Sequence, residues 1–221
     1  MRARIRVSTL AALCALLASS ACKRGEESRA AVETATAAGT LALTRGDWQP
    51  AFDAARASFH RDGAATARTL RSTAVVVRQE AREANDVGGL WLTRSADELD
   101  SLAAGLSSGA QRSERSLDSA FARLEHAEAL NRIANATGEW AKQEHARAGE
   151  ELTSGVDHFE RAAKNARIEL DARATKAAAN ARELGRRLSD GAAATTNEFL
   201  RTVTALDSQI RRLGDRIPWT H

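Results

Sequence analysis

The chain has 221 residues, with 32 Lys or Arg and 29 Asp or Glu, so its formal net charge is +3. Residues 1–21 contribute three arginines and no acidic residue, which leaves the rest of the chain with 29 charges of each sign. This neutral balance excludes the strongly basic surface that is typical of nucleic-acid-binding proteins. Aromatic residues make up only 4% of the chain and Tyr is absent, so closely packed Ala-rich helices are favoured over a large aromatic core.

The first 22 residues have the three parts of a secretory signal peptide. Three arginines fall within the first six residues, an apolar stretch follows, and Ser19-Ser20-Ala21 stands directly before Cys22. With the cysteine in that position, the segment resembles the lipobox of bacterial lipoproteins, although Ser19 stands where that family prefers Leu. The resemblance implies that signal peptidase II removes residues 1–21 and that Cys22 carries the lipid, including palmitate-type acyl chains.

A second interpretation of this segment stays open. Ser19 and Ala21 also satisfy the small-x-small pattern of ordinary signal peptidase, which would give a secreted protein without lipid. That cleavage would leave an unpaired thiol in a compartment that oxidises thiols, so we favour lipidation of Cys22. Under the sorting rule known for enteric lipoproteins, Lys23 rather than Asp next to the lipid implies the outer membrane, with the body facing the periplasm.

The next segment, residues 22–46, is predicted to be the lipidated N-terminus followed by a flexible tether. Its residues are small and polar and show no sustained apolar stripe, which is typical of linkers. Asp47 is a plausible N-cap and Pro50 is tolerated in a first helical turn, so we expect the folded body to begin there.

The body, residues 47–217, has apolar residues at three- and four-residue spacing almost throughout, which predicts long amphipathic helices. We place these helices at about 47–87, 95–135, 138–189 and 192–216, followed by a tail over 218–221. Gly88-Gly89 is expected to end the first helix, and Ser95 to Glu98 form a capping box for the second. One alternative joins residues 95–189 into a single rod. The predicted fold class is all-α, with Ala-rich helices forming an elongated antiparallel bundle or coiled coil.

The last helix has the most apolar stripe, and it is the candidate for membrane or partner contact. A stripe this regular is more often a seam between helices, so we expect a partner helix to bury it. The four tryptophans lie near predicted helix ends, where they are expected to plug the bundle. The candidate contact residues are Phe199, Val203, Leu206, Ile210, Leu213 and Trp219.

Residues with catalytic or metal-binding potential are not arranged as a recognisable site. None of His60, His126, His145 and His158 has a carboxylate or second His three or four residues away, so the Glu-x-x-His pair of di-iron bundles is absent. Glu125-His126 and Asp157-His158 are interpreted as surface residues. We therefore predict a protein that is not an enzyme and that has no metal, no cofactor and no evident small-molecule substrate.

The sequence predicts a non-catalytic cell-envelope protein that acts as a tether, spacer or interaction scaffold. In outline it resembles the small Ala-rich coiled-coil lipoprotein that links the outer membrane to peptidoglycan. That family ends in a Lys joined to the wall, whereas this chain ends in residues 218–221, so covalent wall attachment is not implied. The expected partners are the membrane, through the lipid, and an envelope protein or a second copy, through the coiled coil. The alternative is a membrane-binding protein similar to exchangeable apolipoproteins.

Overall fold

A computed structural model describes residues 32–36, 39–43, 45–109 and 113–218. In these residues a β-hairpin precedes seven helices, and the predicted all-α class of the body is confirmed. The signal peptide, Cys22 and Trp219 lie outside the described residues. The strands are β1 Val32–Thr36 and β2 Gly39–Leu43, and the helices are α1 Gln49–Ser58, α2 Gly63–Glu83, α3 Asp86–Ser107, α4 Glu114–Ala141, α5 His145–Asn165, α6 Ala172–Ser189 and α7 Thr196–Arg216.

The hairpin occupies part of the segment that the sequence predicts to be a flexible tether. β1 and β2 pair antiparallel, with Val32 opposite Leu43 and Thr36 opposite Gly39. β1 lies against α2 and β2 lies against α1. Val and Thr suit the extended backbone of a strand, so the prediction of a flexible tether is wrong for these residues.

The predicted first helix, residues 47–87, is two helices in the structure. The backbone N–H of Ala65 donates to the Asp62 side chain at 2.8 Å, so Asp62 is the N-cap of α2. The turn before Asp62 therefore separates α1 from α2, although both helices keep their apolar residues in the core.

The predicted break at Gly88-Gly89 and the capping box at Ser95 are both wrong. α3 begins at Asp86, because the Asn85 side chain accepts from the N–H of Gly88 at 2.9 Å and caps the helix. A Cβ at Gly89 would lie 2.7 Å from the carbonyl oxygen of Ala81 in α2. The glycine thus permits a close approach of two helix backbones, and Ser95 is buried in the middle of α3.

Two further boundaries differ from the sequence prediction. α4 continues past Thr137 to Ala141, because the Thr137 hydroxyl donates to the carbonyl of Ile133 at 3.0 Å and stays within the helix. α5 ends at Asn165, and Arg167 then adopts a positive φ of 56°. Neither a helix over 138–189 nor a single rod over 95–189 is present, whereas the separation before residue 192 is found at Gly191.

Helix α4 is the centre of the bundle. It contacts α1, α3, α5 and α7, and its residues are buried around most of its circumference. One group of buried apolar residues joins α1, α2 and α3 to the first half of α4, and a second joins its other half to α5, α6 and α7. Gly149 and Gly185 bring α5 and α6 together, since a Cβ on Gly149 would lie 2.4 Å from the Gly185 carbonyl.

Candidate functional site

The apolar face of α7, which the sequence offers for membrane or partner contact, lies inside the bundle. Its five described residues are at most 8% exposed, and Trp140 stacks on Phe199 with ring centroids 4.2 Å apart. In the folded chain this face is therefore a seam between helices. The five residues are Phe199, Val203, Leu206, Ile210 and Leu213.

The described tryptophans lie where helices begin or meet. Trp48 is the N-cap residue of α1 and is fully buried, with its indole Nε1 lacking a hydrogen-bond partner. Trp91 packs against both apolar groups and contacts His126 edge-on, at a centroid distance of 5.7 Å. Trp48 thus lies at a helix end, as expected, whereas Trp91 lies inside α3 and packs against α4.

Buried polar side chains of α4 connect it to most of the surrounding elements. Most of them meet a partner from another part of the chain, which fixes the rotation of the central helix against its neighbours, and Glu128 meets a residue of α4 itself. Asp118 pairs with Arg167; Arg123 contacts Glu98 and the carbonyls of Ile217 and Pro218; Glu125 contacts His158 and Arg161; Glu128 pairs with Arg132; and Asn131 contacts Asn85.

The interpretation of the two histidine pairs as surface residues is wrong for Glu125, His126 and His158, which are buried, whereas the Asp157 side chain is 48% exposed. His126 is 5% and His158 is 1% exposed. His158 Nδ1 lies 2.6 Å from Glu125 Oε2, which comes from the neighbouring helix α4. The spacing of residues within one helix cannot reveal this pair, because Glu125 and His158 are on two different helices.

The densest polar group lies where the N-terminal segment joins the body, and we call it the stem junction. It consists of Arg45, Gly46, Glu80, Glu83, Glu128, Arg132 and Glu151.

In the stem junction, the backbone of the N-terminal segment is bound directly to α2. The Gly46 N–H donates to Glu80 Oε2 at 3.1 Å, and Arg45 pairs with Glu83 at 2.5 Å. Gly46 has a φ of +74°, and a Cβ there would lie 2.3 Å from the guanidinium of Arg132. Only glycine combines this conformation with this contact at low cost.

Arg132 contacts three acidic side chains from three helices. Its Nε lies 2.6 Å from Glu128 of α4, its Nη1 lies 3.3 Å from Glu151 of α5, and its Nη2 lies 3.5 Å from Glu80 of α2. Arg132 itself is only partly exposed, so these charge-assisted contacts are shielded from salt and water. The guanidinium thereby links α2, α4 and α5 around the point where the N-terminal segment arrives.

The carboxylates outnumber the arginine, and this changes the pKa of Glu80. Burial and the adjacent charge of Glu128 raise the pKa of Glu80 from 4.5 to about 8, against the opposing effect of Arg132. Glu80 is therefore mainly protonated at neutral pH. The second oxygen of Glu128, Oε2, is buried without a hydrogen-bond partner.

A cleft of about 530 Å³ opens above this group, and Asp47, Asn131, Asn135 and Ser154 add polar atoms to its wall. Among the described residues, no group of three or more His, Cys, Asp or Glu is arranged to hold a metal ion. Arg132 already occupies the centre of the carboxylates. The arrangement is suited to fixing the N-terminal segment to the bundle.

Sequence reasoning did not find the stem junction, because its members come from residues 45 to 151. In the sequence, Glu128 and Arg132 form only an acid-first pair at four-residue spacing, which stabilises a helix. The one available signal was the absence of a clear polar face on α4, which indicates that charged residues of this helix must be buried.

Comparisons with known proteins give no family: no protein-family model matches the chain, and no curated protein or solved structure is found to match it. Within the part of the chain that the structure describes, no helix is both long and apolar enough to cross a membrane.

Proposed function

We propose that the protein is a non-catalytic, lipid-anchored cell-envelope protein whose helical body serves as a spacer or interaction scaffold. The observation that carries the proposal is the stem junction, combined with Cys22 upstream of it in the chain. A chain anchored in the membrane through Cys22 contacts the bundle first through the hairpin, and at Gly46 its backbone is hydrogen-bonded to α2.

This attachment is suited to holding the bundle at a fixed point relative to the membrane anchor. Trp48 follows immediately and is fully buried, and removing a buried aromatic side chain costs about 3–5 kcal/mol. The hydrogen bond from Gly46 and the Arg45–Glu83 pair add to this attachment. The body would thus be held at a defined entry point, as expected for a spacer or scaffold.

Cell fractionation with a matched cysteine variant as control tests the lipid anchor. Cys22→Ala removes the proposed acceptor, whereas Cys14→Ala changes the other cysteine of the chain, within the proposed signal peptide. We expect the first variant to move from the membrane fraction to the soluble periplasmic fraction and the second to stay with the membrane. Retention of both variants in the membrane would contradict the proposal.

The alternative function, an apolipoprotein-like protein that opens on lipid surfaces, is less well supported. Its candidate face on α7 is the one buried against α4, α5 and α6. In the described residues, the exposed large apolar side chains are Val75, Val87, Leu90 and Leu200, and so few exposed apolar residues are ordinary for a protein surface.

Liposome flotation separates the two functions. The Cys22→Ala chain, which lacks the proposed lipid, is mixed with vesicles of phosphatidylcholine and phosphatidylglycerol. The scaffold proposal predicts that the chain stays at the bottom of the gradient with unchanged helicity. Flotation of the chain together with a loss of packing between α7 and α4 would favour the apolipoprotein-like function. Cross-linking between α7 and α4 measures this loss.

A further inference from the structure

The backbone at residues 45–47 closes over two buried carboxyl groups of the stem junction. The Gly46 N–H donates to Glu80 Oε2 at 3.1 Å, and a Cβ on Gly46 would lie 3.4 Å from Glu128 Oε1. Glu80 is 8% exposed and Glu128 is fully buried. While this segment is in place, water therefore has little access to either carboxyl group.

Arg132 does not compensate the two carboxyl groups equally. Its Nε lies 2.6 Å from Glu128, whereas its Nη2 lies 3.5 Å from Glu80 and its Nη1 is directed to Glu151. One guanidinium thus serves three carboxyl groups, and Glu80 has the longest contact. A buried charge without full compensation is costly, so the closed arrangement favours a proton on Glu80. The rise in the pKa of Glu80 to about 8 agrees with this geometry.

The other charged groups around the stem junction leave this imbalance in place. Arg45 is paired with Glu83 at 2.5 Å. The wall of the cleft adds negative charge from Asp47 and Glu151. Strand β1, which lies against α2, carries one titratable residue, Glu33. In the part of the chain that the structure describes, no charged residue of α1 or α3 lines the cleft.

We propose that the stem junction is a pH-dependent latch, in which residues 45–47 stay closed on the bundle while Glu80 is protonated and open more readily when Glu80 is ionised. The helices have their own apolar contacts away from the junction, so the segment can open while the bundle stays folded. The latch belongs to the folded body and does not require a lipid at Cys22.

The sign of the pH dependence follows from the solvation of Glu80 in the two states. Opening admits water to the carboxyl group, so the open state binds the proton less tightly than the closed state. The ratio of open to closed chains should therefore rise with pH between 4.5, the ordinary pKa of Glu, and about 8, the pKa of Glu80 in the closed state. Above that range the ratio should level off.

Limited digestion of the purified full chain with trypsin measures the opening. Trypsin cleaves after arginine, and the Arg45 side chain is only 16% exposed in the closed latch, so cleavage between Arg45 and Gly46 requires opening. Mass spectrometry quantifies the fragments that begin at Gly46, and their rate of formation is divided by that of a peptide of residues 41–50 at the same pH. We expect this relative rate to be at least about tenfold higher at pH 8 than at pH 6.

Four variants assign the pH dependence to the buried pair. Glu80→Gln removes the titrating group and should give the same relative rate at both pH values. Glu128→Gln removes the adjacent like charge and should reduce the rise severalfold, which keeps the test decisive if the first variant does not fold. Glu83→Gln and Glu33→Gln are the controls, and both should keep the full rise. Glu83→Gln should also raise the rate at each pH, because it releases Arg45 from its ion pair.

Cleavage after Arg123, which is 5% exposed in α4, reports unfolding of the whole bundle and should not rise with that after Arg45. Gly46→Ala should be cleaved rapidly even at pH 6, because its Cβ would lie 2.3 Å from the Arg132 guanidinium. A rise that persists unchanged in Glu80→Gln would overturn the role of Glu80. No cleavage after Arg45 at any pH, or an equal rise after Arg123, would overturn the latch.

Discussion

Replacing Glu80 by Gln should remove a pH dependence from the stability of the bundle. The pKa of Glu80 is raised from 4.5 to about 8, mainly because the carboxyl group is buried and also because Glu128 lies beside it. The folded chain therefore holds this proton more tightly than the unfolded chain. The resulting stabilisation is fully present below pH 4.5 and is lost as the pH rises through about 8.

The size of the effect follows from the two pKa values. A difference of one pKa unit corresponds to about 1.4 kcal/mol, so the change from 4.5 to about 8 corresponds to roughly 4–5 kcal/mol of unfolding free energy. The glutamine of the Glu80→Gln variant would not titrate, and its amide oxygen and NH2 group would still serve Gly46 and Glu128. We therefore expect the variant to match the parent near pH 5 and to exceed it by several kcal/mol near pH 9.

Urea denaturation of the Cys22→Ala chain, monitored by circular dichroism between pH 5 and pH 9, measures this difference in unfolding free energy. Glu83→Gln is the matched control, since Glu83 is on the same helix with its side chain 61% exposed. Its stability should follow that of the parent chain at each pH. Parallel curves for the parent and Glu80→Gln would refute the reasoning about buried Glu80.

Four further substitutions, one of them a control, test the helical packing. Burial lowers the pKa of His126 from 6.5 to about 4, so the parent chain should lose stability as the pH falls from 6.5 to 4. Urea denaturation should show a smaller loss for His126→Gln, and an equal loss would contradict this. Leu206→Asp should destabilise by several kcal/mol, because it leaves an unpaired charge in a fully buried seam; an unchanged melting temperature would exclude the seam. Gly185→Ala should lower the melting temperature, since its Cβ would lie 2.7 Å from the Gly149 carbonyl. Gly138→Ala is the control, because its Cβ would enter open space, and it should raise the unfolding free energy by up to about 1 kcal/mol. The opposite order of melting temperatures would contradict the close approach of α5 and α6.

The fold class could be predicted because apolar residues repeat at helical spacing along nearly the whole body. This period also predicted the burial of the α7 face, including Leu206 and Ile210. Helix ends were less predictable, because several depend on single capping residues. Asp62 and Asn85 each begin a new helix within an apparently continuous apolar pattern, and each does so through one side-chain hydrogen bond.

The end of α5 shows a different limit. Arg167 takes the left-handed conformation that glycine usually provides, so the sequence carries no turn signal there. The polar sites also depend on tertiary structure: Glu80 of α2 and Arg132 of α4 are separated by 52 residues, and only the folded bundle brings their side chains together. A pattern within one helix cannot show such a pair.

The mass of the intact, membrane-extracted protein tests the lipid anchor most directly. If the account is right, the mature chain begins at Cys22 and its mass exceeds that of residues 22–221 by a diacylglyceryl group, with or without an additional acyl chain. A mature chain with an unmodified Cys22, or one that begins elsewhere and is recovered wholly from the soluble fraction, would contradict it.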